Sequence, residues 1–178
     1  MREIIPGLVL GNVESSHKYD MLRENGINAI VSLTNARDIC DFIEQMASSA
    51  LQASTTLPGE QEHVLGSESL NARPGAVLVH CDMGISRSPT VIIAYLMRKY
   101  GIDREDALTF VQSKQKVKPS ANFTRQLQIW EQVGYQVWEN EERTIPKAPY
   151  QAFLDDRAAL LKEKGLTGNE PLAPLTLV

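Results

Sequence analysis

The run Val77-Leu78-Val79-His80-Cys81-Asp82-Met83-Gly84-Ile85-Ser86-Arg87-Ser88-Pro89 reads as an apolar strand that breaks into a short polar loop and opens onto a helix. Strand, loop and helix in immediate succession are the step from which an α/β sheet is built. The loop also brings one cysteine and one arginine to the place where an anion would sit. A cysteine and an arginine at this spacing alone arise by chance in roughly one chain in ten. Adding His80 before the cysteine, Gly84 within the loop and a hydroxyl at Ser88 lowers that expectation to on the order of one in 10⁴ to 10⁵.

The flanking sequence supports the same layered architecture. Ile4 to Asn12 reads as two short strands around the Pro6-Gly7 turn, and Ser15-Ser16 begins a helix through Tyr19, Met21 and Leu22 that ends at Gly26. Ile27 to Leu33 is a β-branched, near-continuous apolar run bounded by turn residues, which suits a strand buried on both faces. Apolar residues at Ile39, Phe42, Ile43 and Met46 follow helical spacing from an N-cap at Asp38 through Leu51. Residues 52–75, rich in Ser, Thr, Gly, Pro and Glu, read as an exposed irregular insert. Beyond the cysteine loop, an apolar helix runs from Ser88 through Tyr100 to a stop at Gly101. Asp103 caps a second helix, and Pro119-Ser120 introduces a third through Phe123, Leu127 and Trp130. From Val137 the chain turns polar, with an amphipathic helix from Gln151 to Lys164 and loosely ordered last residues. Strands alternating with helices and then a run of helices predict an α/β fold with a mostly parallel central sheet flanked by helices.

Composition narrows the function. The chain has 178 residues, 43% of them hydrophobic, enough for one domain with a real core. A net charge of −4 without a dense Lys/Arg run argues against a nucleic-acid surface. No stretch approaches the length of a membrane span, and the N-terminal residues lack the apolar region of a secretory signal. Two cysteines, Cys40 and Cys81, are too few for a disulfide framework or a structural zinc site. The expectation is a protein without metal or cofactor in a reducing intracellular compartment, cytoplasmic or nuclear. Cys40 reads as a buried helix residue, with a reversible Cys40–Cys81 disulfide as the alternative.

The loop is suited to phosphate-ester chemistry. A phosphate ester repels nucleophiles by its negative charge, so the anion must first be surrounded by fixed donors. The backbone N–H groups of residues Asp82, Met83, Gly84, Ile85 and Ser86 supply them, together with the first turn of the following helix and its dipole. Gly84 allows a backbone conformation that other residues resist. Arg87 adds a planar fork that fits two phosphate oxygens. The same field favours the Cys81 thiolate, making it a nucleophile at neutral pH. Attack by sulfur gives a phosphoenzyme, and Ser88 hydrogen-bonds the sulfur to help it leave. His80 reads as a structural hydrogen-bonder rather than a base, since an activated thiolate needs none. Sulfur transfer on a similar cysteine loop is a further reading, disfavoured because Arg87 and Ser88 suit phosphate.

At His80 to Pro89 the chain resembles a dual-specificity protein phosphatase of the cysteine-dependent protein tyrosine phosphatase superfamily. The resemblance extends to Leu8 to Asn12, Gly26 to Leu33, Thr90 to Met97, and Pro119 through Phe123, Gln126, Leu127 and Trp130. It implies a catalytic domain over residues 1–135 and a C-terminal extension over 136–178. It also implies hydrolysis of phosphotyrosine and of phosphoserine or phosphothreonine in phosphorylated protein substrates, without metal. Cys81 would be the nucleophile and Arg87 the phosphate clamp. In the family, a further edge strand and a loop carrying the general-acid aspartate lie between the strand ending near Leu33 and the helix containing Phe42-Ile43. Here only the short junction 34–37 and the helix start separate them. Asp38 is the nearest replacement acid, followed by Asp41, with Glu60, Glu62 and His63 available if the insert folds over the pocket. The alternative is a phosphoprotein-binding module with weak turnover, since general acid catalysis typically contributes 10² to 10⁴-fold. A short junction followed by a long insert is also what an alternative splice form or a misplaced exon boundary leaves.

Overall fold

The computed structural model describes residues 1–33, 38–45 and 75–167. Strands β1 (Arg2–Ile5) and β2 (Leu8–Asn12) form an antiparallel hairpin. Helices α1 (Val13–Ser16) and α2 (Tyr19–Glu24) carry the chain over to β3 (Ile27–Ser32). Helix α3 is described over 39–45, and β4 (Ala76–Cys81) follows. The helical half comprises α4 (Arg87–Tyr100), α5 (Arg104–Lys114), α6 (Ala121–Gln132) and α7 (Ala148–Glu163).

The sheet order is β1-β2-β4-β3, with β2 and β3 both parallel to β4. Parallel neighbours need crossover connections, which accounts for the helices between strands that lie side by side. β4 is flanked on both edges, and most of its side chains are buried, as its apolar run requires. Among the described residues β3 lies at the end of the sheet, so the expectation of a strand buried on both faces fails: four of its six residues are exposed, Ile30 at 45%. Helix α4 leaves the end of β4 and buries Ile92, Ile93, Ala94, Leu96 and Met97 in the main core. It stops where Gly101 takes a left-handed conformation and its N–H bonds the Met97 carbonyl at 2.9 Å.

Local signals place most helix starts. Asp103 accepts from the Asp106 N–H at 2.8 Å and Ser120 from the Phe123 N–H at 3.4 Å, both as N-caps. The start predicted at Ser15-Ser16 is displaced. Asn12 takes the capping position, accepting from the Ser15 N–H at 3.0 Å and its hydroxyl at 2.7 Å, and the helix breaks at His17 before α2 begins. The insert 52–75 lies outside the described residues, apart from its last residue Gly75, as do the last residues of the chain.

The polar C-terminal segment joins the same core. Val137, Tyr150 and Phe153 are buried with the residues of α4 and α6, and α7 starts three residues earlier than its sequence pattern suggests, with Pro149 in its first turn. Tyr150 packs edge-on against Trp138 and stacks with Phe153, at ring separations of 5.6 and 6.3 Å. Below these rings runs a polar seam along α3. Asp38 accepts from the Tyr150 hydroxyl at 2.8 Å, Asp41 from the Trp138 indole at 3.1 Å and from Arg143, and Glu44 from the Val137 N–H at 2.5 Å. These carboxylates recur every three residues, so they share one face of the helix. Phe153→Ala should therefore cost about 3–5 kcal/mol, the usual penalty for truncating a buried aromatic. The check is a lower urea midpoint with an unchanged denaturant slope.

Candidate active site

Cys81 ends β4, and the chain then turns through residues 82–86 onto α4. What shapes this turn is the direction of its carbonyls. The Asp82 carbonyl accepts from the Val13 N–H at 3.2 Å, Gly84 from the Gln115 side chain at 3.2 Å, and Ile85 from the Lys118 N–H at 2.8 Å. These carbonyls bond to the surrounding framework, leaving the loop N–H groups free to converge on the sulfur. Gly84 has φ of +68°, and a Cβ there would lie 2.6 Å from the Gly11 carbonyl oxygen. Only glycine satisfies both conditions. At the head of α4, the Ser86 side chain makes no capping bond and instead accepts from the Ser120 N–H at 3.1 Å.

The electrostatic result is read at Cys81. Burial pushes its thiol up, but the Ser88 hydroxyl and the N–H groups of Ser88, Gly84 and Ser86 outweigh burial and hold the pKa below its ordinary value. The Ser88 hydroxyl donates to the sulfur at 3.2 Å and is itself fully buried. Cys40 shows the opposite case. Burial, reinforced by the carboxylates of Asp38, Asp41 and Glu44, drives its thiol far above the ordinary range, and it donates to the Gln126 carbonyl at 3.1 Å. Both cysteines are free thiols.

Arg87 lies in the first turn of α4 and reaches back across the loop. One terminal nitrogen donates to the Asp82 carboxylate at 2.6 Å and the other to the Leu33 carbonyl at 3.1 Å. The second contact ties the clamp to the end of β3. Met83 and Ile85 are 49% and 37% exposed, so their part in the cradle is played by backbone while their side chains form its outer rim. His80 is 4% exposed, and its Nδ1 has no hydrogen-bond partner among the described residues. As the residue before Cys81 on a strand, it points to the opposite face from the nucleophile.

The candidate acids are placed differently. Asp38 caps α3, with one carboxylate oxygen accepting from the Asp41 N–H at 3.1 Å and the other from Tyr150. Burial raises its pKa above the usual carboxylate value, and the Tyr150 and Asp41 hydrogen bonds pull it part of the way back. Asp41 is engaged by Trp138 and Arg143. Glu60, Glu62 and His63 lie outside the described residues. The sequence reading missed the residues that hold the loop from outside, namely Val13, Gln115 and Lys118. Of these, only Lys118 sits beside a recognisable motif, the Pro119-Ser120 helix start.

A helix-flanked sheet whose central strand delivers a cysteine into a ring of backbone donors, with an arginine at the next helix start, defines the cysteine-dependent phosphatases. The model of the dual specificity phosphatase catalytic domain matches residues 8–133. Dual specificity protein phosphatase 22-A of Danio rerio is 35% identical over 145 residues, covering 78% of this chain and 70% of that protein. Human dual specificity protein phosphatase 16 is 28% identical over 178 residues, but the match spans only 27% of its length. Among solved structures, the human tyrosine phosphatase-like serine/threonine/tyrosine-interacting protein superposes with a TM-score of 0.55 at 27% identity, over 75% of this chain and 96% of that one. The chain belongs to the dual specificity phosphatase family, within the cysteine-dependent protein tyrosine phosphatase superfamily.

The two thiols give a direct test of the site. At pH 7 iodoacetamide should label Cys81 and spare Cys40 in the folded protein, as mass spectrometry would report. Ser88→Ala removes the side-chain donor to the sulfur, so Cys81 labelling at pH 7 should slow by up to about tenfold for each unit its pKa rises.

Proposed function

We propose that the chain is a protein phosphatase that hydrolyses phosphotyrosine and phosphoserine or phosphothreonine through a cysteinyl-phosphate intermediate. The observation that carries this reading is the depressed Cys81 pKa, held down by the same N–H groups that would receive phosphate oxygens. In the first step the Cys81 sulfur attacks phosphorus, forming an S–P bond as the ester P–O bond breaks. The leaving oxygen takes a proton from a general acid or from water. In the second step water attacks the phosphoenzyme, releasing inorganic phosphate and returning the electron pair to sulfur. The backbone donors and Arg87 bind the non-bridging oxygens throughout, and the Ser88 hydroxyl stabilises the departing thiolate.

Asp38 is the proposed proton donor. A carboxyl with a raised pKa keeps its proton to higher pH, which suits an acid. A second reading is favoured by the same residue's hydrogen bonds. Both Asp38 oxygens are committed to the α3 cap and to Tyr150, which supports a phosphoprotein-binding module with slow turnover.

Hydrolysis of p-nitrophenyl phosphate should be abolished in Cys81→Ser; equal rates in the two proteins would refute thiolate chemistry. Asp38→Asn keeps the capping oxygen and places an amide N–H2 that can donate to the Tyr150 hydroxyl oxygen, so the fold survives and the acidic proton is lost. If Asp38 is the acid, kcat falls 10² to 10⁴-fold and the high-pH decline of the rate disappears. An unchanged kcat removes Asp38 from the acid's role, and slow turnover in the wild type would then favour the binding module. On the acid side, the lowered Cys81 pKa keeps the thiolate populated as pH falls, so activity should persist below pH 9 until that thiolate protonates.

A further inference from the structure

Arg87, the expected phosphate clamp, already holds an anion of its own. Its Nη2 donates to the Asp82 carboxylate at 2.6 Å while its Nη1 donates to the Leu33 carbonyl at 3.1 Å. The two terminal nitrogens of the fork are therefore both engaged by the protein. Asp82 is the residue directly after the nucleophile, and its side chain remains 35% exposed against 17% for Arg87. We infer that Asp82 is a resident anion on the phosphate clamp, a carboxylate that an incoming phosphoryl group must displace before Arg87 can close on it.

This inference rests on the reading of the loop as a phosphate cradle and adds an affinity threshold to it. The Asp82 backbone and side chain act in opposite directions. Its carbonyl anchors the loop to Val13, which turns the N–H groups of the turn inward. Its carboxylate occupies a guanidinium nitrogen that would otherwise meet a phosphate oxygen. A carboxylate and a phosphate oxygen compete for the same donor by the same charge-assisted hydrogen bond. The Leu33 contact differs in kind, because a neutral carbonyl does not offset the positive charge and fixes the fork against β3. Displacement is sterically simple, since the partly exposed Asp82 side chain can rotate into water while Arg87 stays tethered through Leu33.

The cost falls on every ligand equally in absolute terms, so it matters most for weak ones. The apparent affinity of a ligand is multiplied by the fraction of protein in which the clamp is open, so its Kd rises by the inverse of that fraction. A tetrahedral dianion that makes the full set of loop contacts overcomes this; a planar, singly charged carboxylate such as acetate gains too little. Asp82 thus acts as a filter that keeps abundant small anions off the nucleophile's pocket.

The test is tungstate binding by calorimetry to the full chain carrying Cys81→Ser, alone and combined with Asp82→Asn. Freeing the clamp should tighten tungstate binding about tenfold. Acetate, undetectable in the parent, should become a measurable competitor. Glu24→Gln, which removes one carboxylate from the surface of α2, should leave both values unchanged and so exclude a general charge effect. Equal or weaker tungstate affinity in Asp82→Asn overturns the inference, the weaker case showing that Asp82 orients Arg87 for phosphate. Turnover of the wild type against Cys81→Ser reports on the phosphatase assignment separately. A chain that hydrolyses phosphate esters while tungstate ignores Asp82 refutes the filter alone.

Discussion

An anion site made of backbone works only if the carbonyls that accompany its N–H groups are taken elsewhere. Every peptide unit in the 82–86 loop carries both dipole ends, and a carbonyl turned inward would repel the thiolate as strongly as an N–H attracts it. The carbonyls of Asp82, Gly84 and Ile85 are held by Val13, Gln115 and Lys118, drawn from two separate parts of the chain. That arrangement depends on β2 lying beside β4 and on the segment after α5 returning to the loop. The lowered pKa of Cys81 is accordingly a property of the packed domain as well as of the motif. Burial by itself acts the other way, as Cys40 demonstrates in the same molecule.

The junction between β3 and α3 is bracketed by two contacts. Arg87 holds Leu33 at its near end, and Tyr150 holds Asp38 at its far end. The carboxylates of Asp38, Asp41 and Glu44 would repel one another on an isolated helix. Here Tyr150, Trp138, Arg143 and the Val137 N–H satisfy them, so the charge pattern on α3 is explained by the segment that covers it. Buried carboxylates with hydrogen-bond partners are expensive to strip of those partners, which makes this seam a strict structural requirement.

Asp82 and Asp38 show how position changes the meaning of an acidic residue. Asp82, within the loop, is turned onto the phosphate clamp and opposes the loop's positive potential. Asp38, on the neighbouring helix, is used first by the fold as a cap. A proton donor would have to combine that structural duty with chemistry at the leaving oxygen. The same two hydrogen bonds that make Asp38 a stable part of α3 also restrict its freedom to serve a substrate.

The motif around Cys81, the turn at Gly84, the caps at Asp38, Asp103 and Ser120, and the alternation of strands with helices were all legible in the amino-acid order. Each depends on residues within a few positions of one another, where backbone preferences and capping bonds act directly. The helix start at Ser15 was misplaced because Asn12, three residues earlier, offered the same capping chemistry. The bond between Tyr150 and Asp38 spans 112 positions, and the indole bond from Trp138 to Asp41 spans 97. Nothing local distinguishes those partners from solvent-facing residues of the same type. The sequence by itself therefore determined the family and the placing of Cys81 at the mouth of a loop of backbone donors, because strand, loop and helix are contiguous. Only the tertiary structure decided that the C-terminal segment belongs to the core and that Asp82 rests on the clamp, because both follow from which distant surfaces meet.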